Sequence, residues 1–223
     1  NFTGNENPVV VAQGSRDVFH DKPYIGTSNL DGAGTDDVFI TWTAFYMVGP
    51  YTTGFPILFS RSLDGGATWS PPQQVSSDIV TQGSVPVKGP GGLYVVWYDF
   101  GTFSNASLDD RSDDSIKLAI STNGGQSFGS EITVADADVV EVPSPLPGWD
   151  FRTNSFPSIG VFQTDLYLVF ASDPEGADAA DVFFTRSTDG GASWSPREKL
   201  NDDGETGALQ FFPWLAVGPD GQI

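Results

Sequence analysis

Cysteine is absent from the 223 residues, and methionine and histidine occur once each. Disulfide staples and thiolate–metal chemistry are thereby excluded. With His20 the only imidazole, a zinc site or a Ser-His-Asp triad has little support, and a hydrogen-bonded structural role is expected for it. Positive charge is scarce: 10 Lys and Arg face 29 Asp and Glu, a formal net charge of −19. Such a surface repels phosphate backbones and anionic lipid, so nucleic acid is not an expected partner. Apolar runs last only a few residues, far short of a membrane span, and no membrane insertion is expected. Helical periodicity is missing too, while 26 Gly and 16 Pro interrupt the chain throughout.

What remains is a β-type composition. Apolar residues make up 39 % of the chain, enough for a packed core. The acidic charge is carried mostly by Asp, which favours turns and caps over helix interiors. The length fits one domain or part of a larger one. The chain starts at Asn1 without Met or a signal segment, which reads as a processed chain or an excised piece.

An octet recurs three times, as Ser62 to Trp69, Ser121 to Phe128 and Ser187 to Trp194, at spacings of 59 and 66 residues. Ser62, Asp64, Gly66 and Trp69 are matched by Ser121, Asn123, Gly125 and Phe128, and by Ser187, Asp189, Gly191 and Trp194. Asp or Asn followed by Gly-Gly supplies a tight turn with positive φ, and the aromatic can anchor it from beneath. A strand-like run precedes each octet, as in Ile57 to Arg61, Ile116 to Ile120 and Val182 to Arg186. An earlier aromatic-rich run covers Val38 to Trp42, Leu93 to Trp97 and Leu166 to Phe170. Before that a Pro opens a short run at Pro23, Pro86, Pro157 and Pro213. One further strand follows each octet, so each unit holds four strands.

Four-stranded units in tandem predict an all-β fold, a β-propeller of antiparallel blades. The octet resembles the Asp-box of the sialidase superfamily, also called the BNR repeat, over roughly residues 8–223. It is similar to secreted bacterial sialidase-like proteins. The resemblance implies Asp-box hairpins between the third and fourth strands of each blade. The expected blades are roughly 20–78, 82–136 and 154–202, with partial blades at 8–13 and 211–223. Three complete blades leave two open edges. The remaining blades are therefore expected from the same longer chain or from another chain. Secretion, to the periplasm or outside the cell, is the implied location.

The connectivity sets long segments on the face opposite the octets: 43–56, 98–115, 134–156, 171–181 and 201–212. In sialidases the active site lies on that face, where three Arg clamp a carboxylate. One of them stands in a Phe/Tyr-Arg-Ile-Pro motif, two residues before the first-strand Pro. Here those positions are Asp21, Ser84, Ser155 and Phe211, and none is Arg. Arg111 and Arg152 map to the same face as candidate ligand contacts. So do Trp149 and Phe151, on a Pro-stiffened stretch outside the repeat, where the indole either stacks on a sugar or plugs the loop onto the propeller. Asp109, Asp110, Asp113 and Asp114 offer carboxylates for Ca²⁺, or form a solvated acidic loop. The leading expectation is an extracellular recognition or scaffold module for carbohydrate or a protein. The alternative is a sialidase-like glycoside hydrolase.

Overall fold

The computed structural model describes residues 8–28, 37–101, 113–136, 139, 142–173, 180–203 and 207–223. The first sheet holds β1 (Val18–Ser28), β2 (Asp37–Val48), β4 (Ile57–Ser62) and β5 (Gln73–Gln74) in that order, with β3 (Tyr51–Gly54) attached to β2. The second holds β6 (Thr81–Gly89), β7 (Gly92–Asp99), β8 (Ser115–Ser121) and β9 (Ile132–Ala135). The third holds β10 (Ser158–Phe162), β11 (Asp165–Ser172), β12 (Asp181–Ser187) and β13 (Glu198–Lys199). Within each sheet, strands that follow one another in this order pair antiparallel, giving three propeller blades.

β7 explains how the blades stack. All eight of its residues are buried, because the strand is covered on both faces. Its period-two alternation sorts them. Leu93, Val95 and Trp97 pack with Phe39, Ile57 and Phe59 of blade 1. Tyr94, Val96 and Tyr98 pack with Ile159, Leu166, Leu168 and Phe170 of blade 3. On the far side of blade 3, Tyr167 and Val169 meet Leu215. Each fully buried large side chain contributes about 1.5–3 kcal/mol in area removed from water.

Two expectations need amendment. Segment 43–56 is not a loop: β2 runs on to Val48 and turns back through β3 as a hairpin. At the two ends, Val11 packs against Trp42 and Leu215 lies along blade 3. The second change concerns register. Tyr24 pairs with Thr41, Val85 with Val96 and Ser158 with Val169. Thr41, Val96 and Val169 in turn face Phe59, Leu118 and Phe184, each three residues before its octet. Pro23 and Pro157 are therefore matched by Ser84, not by Pro86. The position two residues before it in blade 2 is Gln82, again not Arg.

The first, inner strands of blades 1 and 2 each shift register within their length, between Asp21 and Tyr24 of β1 and between Gln82 and Val85 of β6. Lys22 (φ 51°) and Gly83 (φ 68°) occupy the same place in these two bulges, both left-handed. Gly83 is required twice over, since a Cβ there would lie 2.2 Å from Cγ of Phe156.

Candidate functional site

The starts of the inner strands meet around a cavity of about 290 Å³ on the face opposite the octets. Blade 1 supplies Lys22 and Tyr24, blade 2 Ser84, blade 3 Asn154 and Phe156, and the segment beyond it Phe212 and Trp214. Aromatic surface dominates. Tyr24 and Trp214 lie with ring centroids 5.4 Å apart, and Trp214 remains 63 % exposed. Burial raises the pKa of Tyr24, so its phenol stays a neutral donor and acceptor. The one cation of the lining, Lys22, is paired with Asp21 and held near the rings of Phe45 and Phe156.

Ser84 carries the most informative atom. Its side chain is buried, it lines the cavity, and its Oγ has no hydrogen-bond partner. Its own carbonyl accepts from Thr41 Oγ1 at 3.3 Å, which ties blade 2 to blade 1. A buried hydroxyl without a partner forfeits the hydration it had in the unfolded chain. The register places it where blades 1 and 3 carry Pro.

Trp149 and Phe151 flank this cavity through a run of rings. Trp149 lies 5.3 Å from Phe151 and 6.0 Å from Phe211, and Phe151 lies 6.4 Å from Phe212. The loop that carries them is fixed. Leu146 is buried with Val142, Ala171 and Ala180, and Trp149 N donates to the Leu146 carbonyl at 3.0 Å. Thr153 N donates to Ser144 Oγ at 3.0 Å, and Thr153 Oγ1 donates to the Pro143 carbonyl. Arg152 is exposed beside them.

The acidic candidates separate. Asp109, Asp110 and Arg111 lie outside the described residues. Asp114 is buried and accepts from Tyr98 Oη at 2.7 Å. Asp113 instead lines a cleft of about 390 Å³ with Asp78, Asp99 and Lys117. Asp99 is buried at the end of β7, accepts from Gly101 N at 2.9 Å and is hydrogen-bonded to Asp78. Burial above all, with the Asp78 charge beside it, pushes the Asp99 carboxyl up to about 7. Among the described residues no group of three or more His, Asp or Glu is arranged to hold a metal ion.

The three octets form equivalent turns. Ser62 Oγ receives Gly66 N at 2.8 Å and donates to Asp64 Oδ1 at 2.6 Å. Ser121 with Gly125 and Asn123, and Ser187 with Gly191 and Asp189, repeat the pattern. Hydrogen bonds from the octet side chains and backbone hold the carboxyls of Asp64 and Asp189 down at about 2. The aromatic anchors differ: Trp69 Nε1 donates to the Gly66 carbonyl at 3.0 Å, Phe128 packs on Phe59, and Trp194 packs against the core between blades 2 and 3. Arg61 donates to the Gly124 carbonyl and Gln73 Nε2 to that of Gly125, so this octet docks onto blade 1. His20 is also structural, its Nδ1 accepting from Trp42 Nε1 at 2.9 Å.

The sequence marks Ser84 only as a position without Arg, and it gives no signal for Phe212 or the Asp78–Asp99 pair as site residues. The first hides behind the Pro of the wrong register, the second lies in an unremarkable Phe-Phe, and the pair is distant in sequence.

No family model matches the chain, and no curated protein is detectably similar to it. Solved structures do match. A Penicillium chrysogenum alpha-L-arabinanase complexed with arabinobiose aligns at 15 % identity and TM-score 0.55, over 82 % of this chain and 50 % of its own. The Hadza microbial sialidase Hz136 aligns at 16 % and 0.57, over 78 % and 36 %. Zg3597, a family 117 glycoside hydrolase of the marine bacterium Zobellia galactanivorans, aligns at 15 % and 0.51, over 88 % and 59 %. The chain thus spans between about a third and three-fifths of the length of these structures. The chain has a sialidase-like β-propeller fold, with one five-stranded and two four-stranded blades among its described residues.

Proposed function

We propose that this chain belongs to an extracellular or periplasmic recognition module that binds a neutral saccharide in the axial cavity. A sugar presents C–H faces to aromatic rings and hydroxyls to a few fixed polar groups, which is the composition of this lining. The carrying observation is Ser84 Oγ, a buried hydroxyl that lacks a partner and lines the cavity. Asn154 adds a polar side chain at the same level. A neutral ligand is favoured over a carboxylate sugar. Lys22 is already compensated by Asp21, none of the described lining residues is Arg, and the chain's charge of −19 opposes an anion. The similar fold of an arabinanase complexed with arabinobiose makes a neutral pentose chain the first probe.

The test is a pair of assays on the 223-residue chain. Isothermal titration with arabinobiose is expected to give binding that Trp214→Ala weakens. A fluorogenic sialoside is expected to remain intact. Sialoside hydrolysis, or absence of saccharide binding, would overturn this reading.

A further inference from the structure

At about 290 Å³ the axial cavity sits at the small end of the range for ligand pockets. That volume accommodates a terminal sugar unit. The surface beside it is the unusual part. Phe212 lines the cavity, and from it the rings of Phe151 and Trp149 lead outward at 6.4 Å and 5.3 Å. These three side chains are 50 %, 38 % and 48 % exposed. Contiguous aromatic exposure on a water-facing loop costs hydration and marks a contact surface. The loop is pinned by buried Leu146 and by Thr153, so the rings are held in place before any ligand arrives, which lowers the ordering cost of binding.

The charge around the rings selects the occupant. Asp150 and Arg152 flank Phe151 in sequence, both are exposed, and their charges offset each other. Around Phe151 the shelf therefore carries one charge of each sign, and its polar rim offers both donors and acceptors. That combination suits a neutral, hydroxyl-rich chain.

Building on the saccharide reading above, we propose that the shelf of Phe212, Phe151 and Trp149 extends the axial site. It receives the further units of a neutral oligosaccharide whose terminal unit occupies the cavity. The cavity sets which sugar is bound, and the shelf sets how long a chain is preferred.

The experiment is isothermal titration of the 223-residue chain with L-arabinose, arabinobiose and arabinotetraose. Wild type is expected to bind arabinotetraose about tenfold or more tightly than arabinose. Trp149→Ala and Phe151→Ala are expected to remove that gain while leaving arabinose affinity unchanged, and Trp149→Phe is expected to retain part of it. Unchanged far-ultraviolet circular dichroism and melting midpoints identify variants that still fold. Affinity that is independent of chain length, or a gain that survives both alanine variants, overturns the shelf and leaves the cavity reading standing. Binding of none of the three sugars overturns both. A concentration-dependent dimer in sedimentation that Trp149→Ala abolishes assigns the shelf to contacts between copies and overturns the proposal.

Discussion

Asp99 and Asp78 lie carboxyl to carboxyl where the chain passes from blade 1 to blade 2, with Asp99 only 2 % exposed. Asp78 sits in the connection between β5 and β6, and Asp99 ends β7. The cleft they share also receives Asp113 and, on the other side, Lys117. Burial, with the Asp78 charge beside it, disfavours the ionised Asp99 carboxyl, which therefore keeps its proton well above the ordinary carboxylate range.

That proton makes stability depend on pH. The Asp99 carboxyl titrates at about 7 when folded, against an ordinary value of 3.8. Between those values the folded chain binds more protons than the unfolded one, so stability falls as pH rises through this window. Below pH 4 the pair contributes no penalty; above pH 7 the full penalty is present. Asp99→Asn keeps an acceptor for Gly101 N and has nothing to ionise. It is expected to raise stability at pH 8 by on the order of 2 kcal/mol and to change little at pH 4. Denaturant unfolding at the two pH values checks this, and equal effects at both would contradict it.

The octets answer acid in the opposite sense. Asp64 and Asp189 are held at about 2, below the ordinary 3.8, so their contribution is present above pH 4 and is lost as pH falls towards 2. Asn123 shows how the turn works without a charge. Its Oδ1 still accepts from Ser127 N at 3.0 Å, while its Nδ2 donates to Ser127 Oγ at 2.8 Å, reversing the direction of the hydroxyl bond seen in the other two octets. Asp64→Asn is therefore expected to keep the midpoint near wild type at pH 7, and Asp64→Ala to lower it. Thermal melting of both variants decides the point.

Ser84 separates stability from binding. Removing a buried hydroxyl that has no partner relieves a desolvation cost, so Ser84→Ala is expected to be neutral or to stabilise the free chain by about 1 kcal/mol. The same change removes the hydrogen bond offered to a sugar and is expected to weaken arabinobiose. A variant that loses stability and keeps its affinity would place the hydroxyl in the fold alone.

Gly83 tests the bulge that shapes the cavity. Gly83→Ala meets both a positive φ and the ring of Phe156. It is expected to cost about 1–3 kcal/mol and to weaken the sugar as Phe156 is displaced. Urea unfolding beside sugar titration reads both effects.

The blade plan is legible in the sequence because the octet, the strand before it and the aromatic run before that keep a fixed spacing that hydrogen bonding then enforces. The inner strands are harder to read. Their bulges insert a residue without a mark in composition, and Pro86 imitates Pro23 while Ser84 takes its place. The candidate site divides in the same way. Trp149 and Phe151 stand out because they interrupt the repeat. Asp78 and Asp99 do not, because each is an isolated Asp until blades 1 and 2 close on each other. Of the run from Asp109 to Asp114, only Asp113 and Asp114 lie among the described residues, where Asp114 accepts from Tyr98 and Asp113 lines the cleft of Asp78 and Asp99.

The central claim is that a neutral sugar occupies the cavity between the inner-strand starts. A crystal structure of the chain soaked with arabinobiose tests it most directly. A sugar ring is expected against Trp214 and Tyr24, with one of its hydroxyls within hydrogen-bonding distance of Ser84 Oγ. A cavity that stays empty at saturating sugar, or a sugar bound only elsewhere on the propeller, would contradict it.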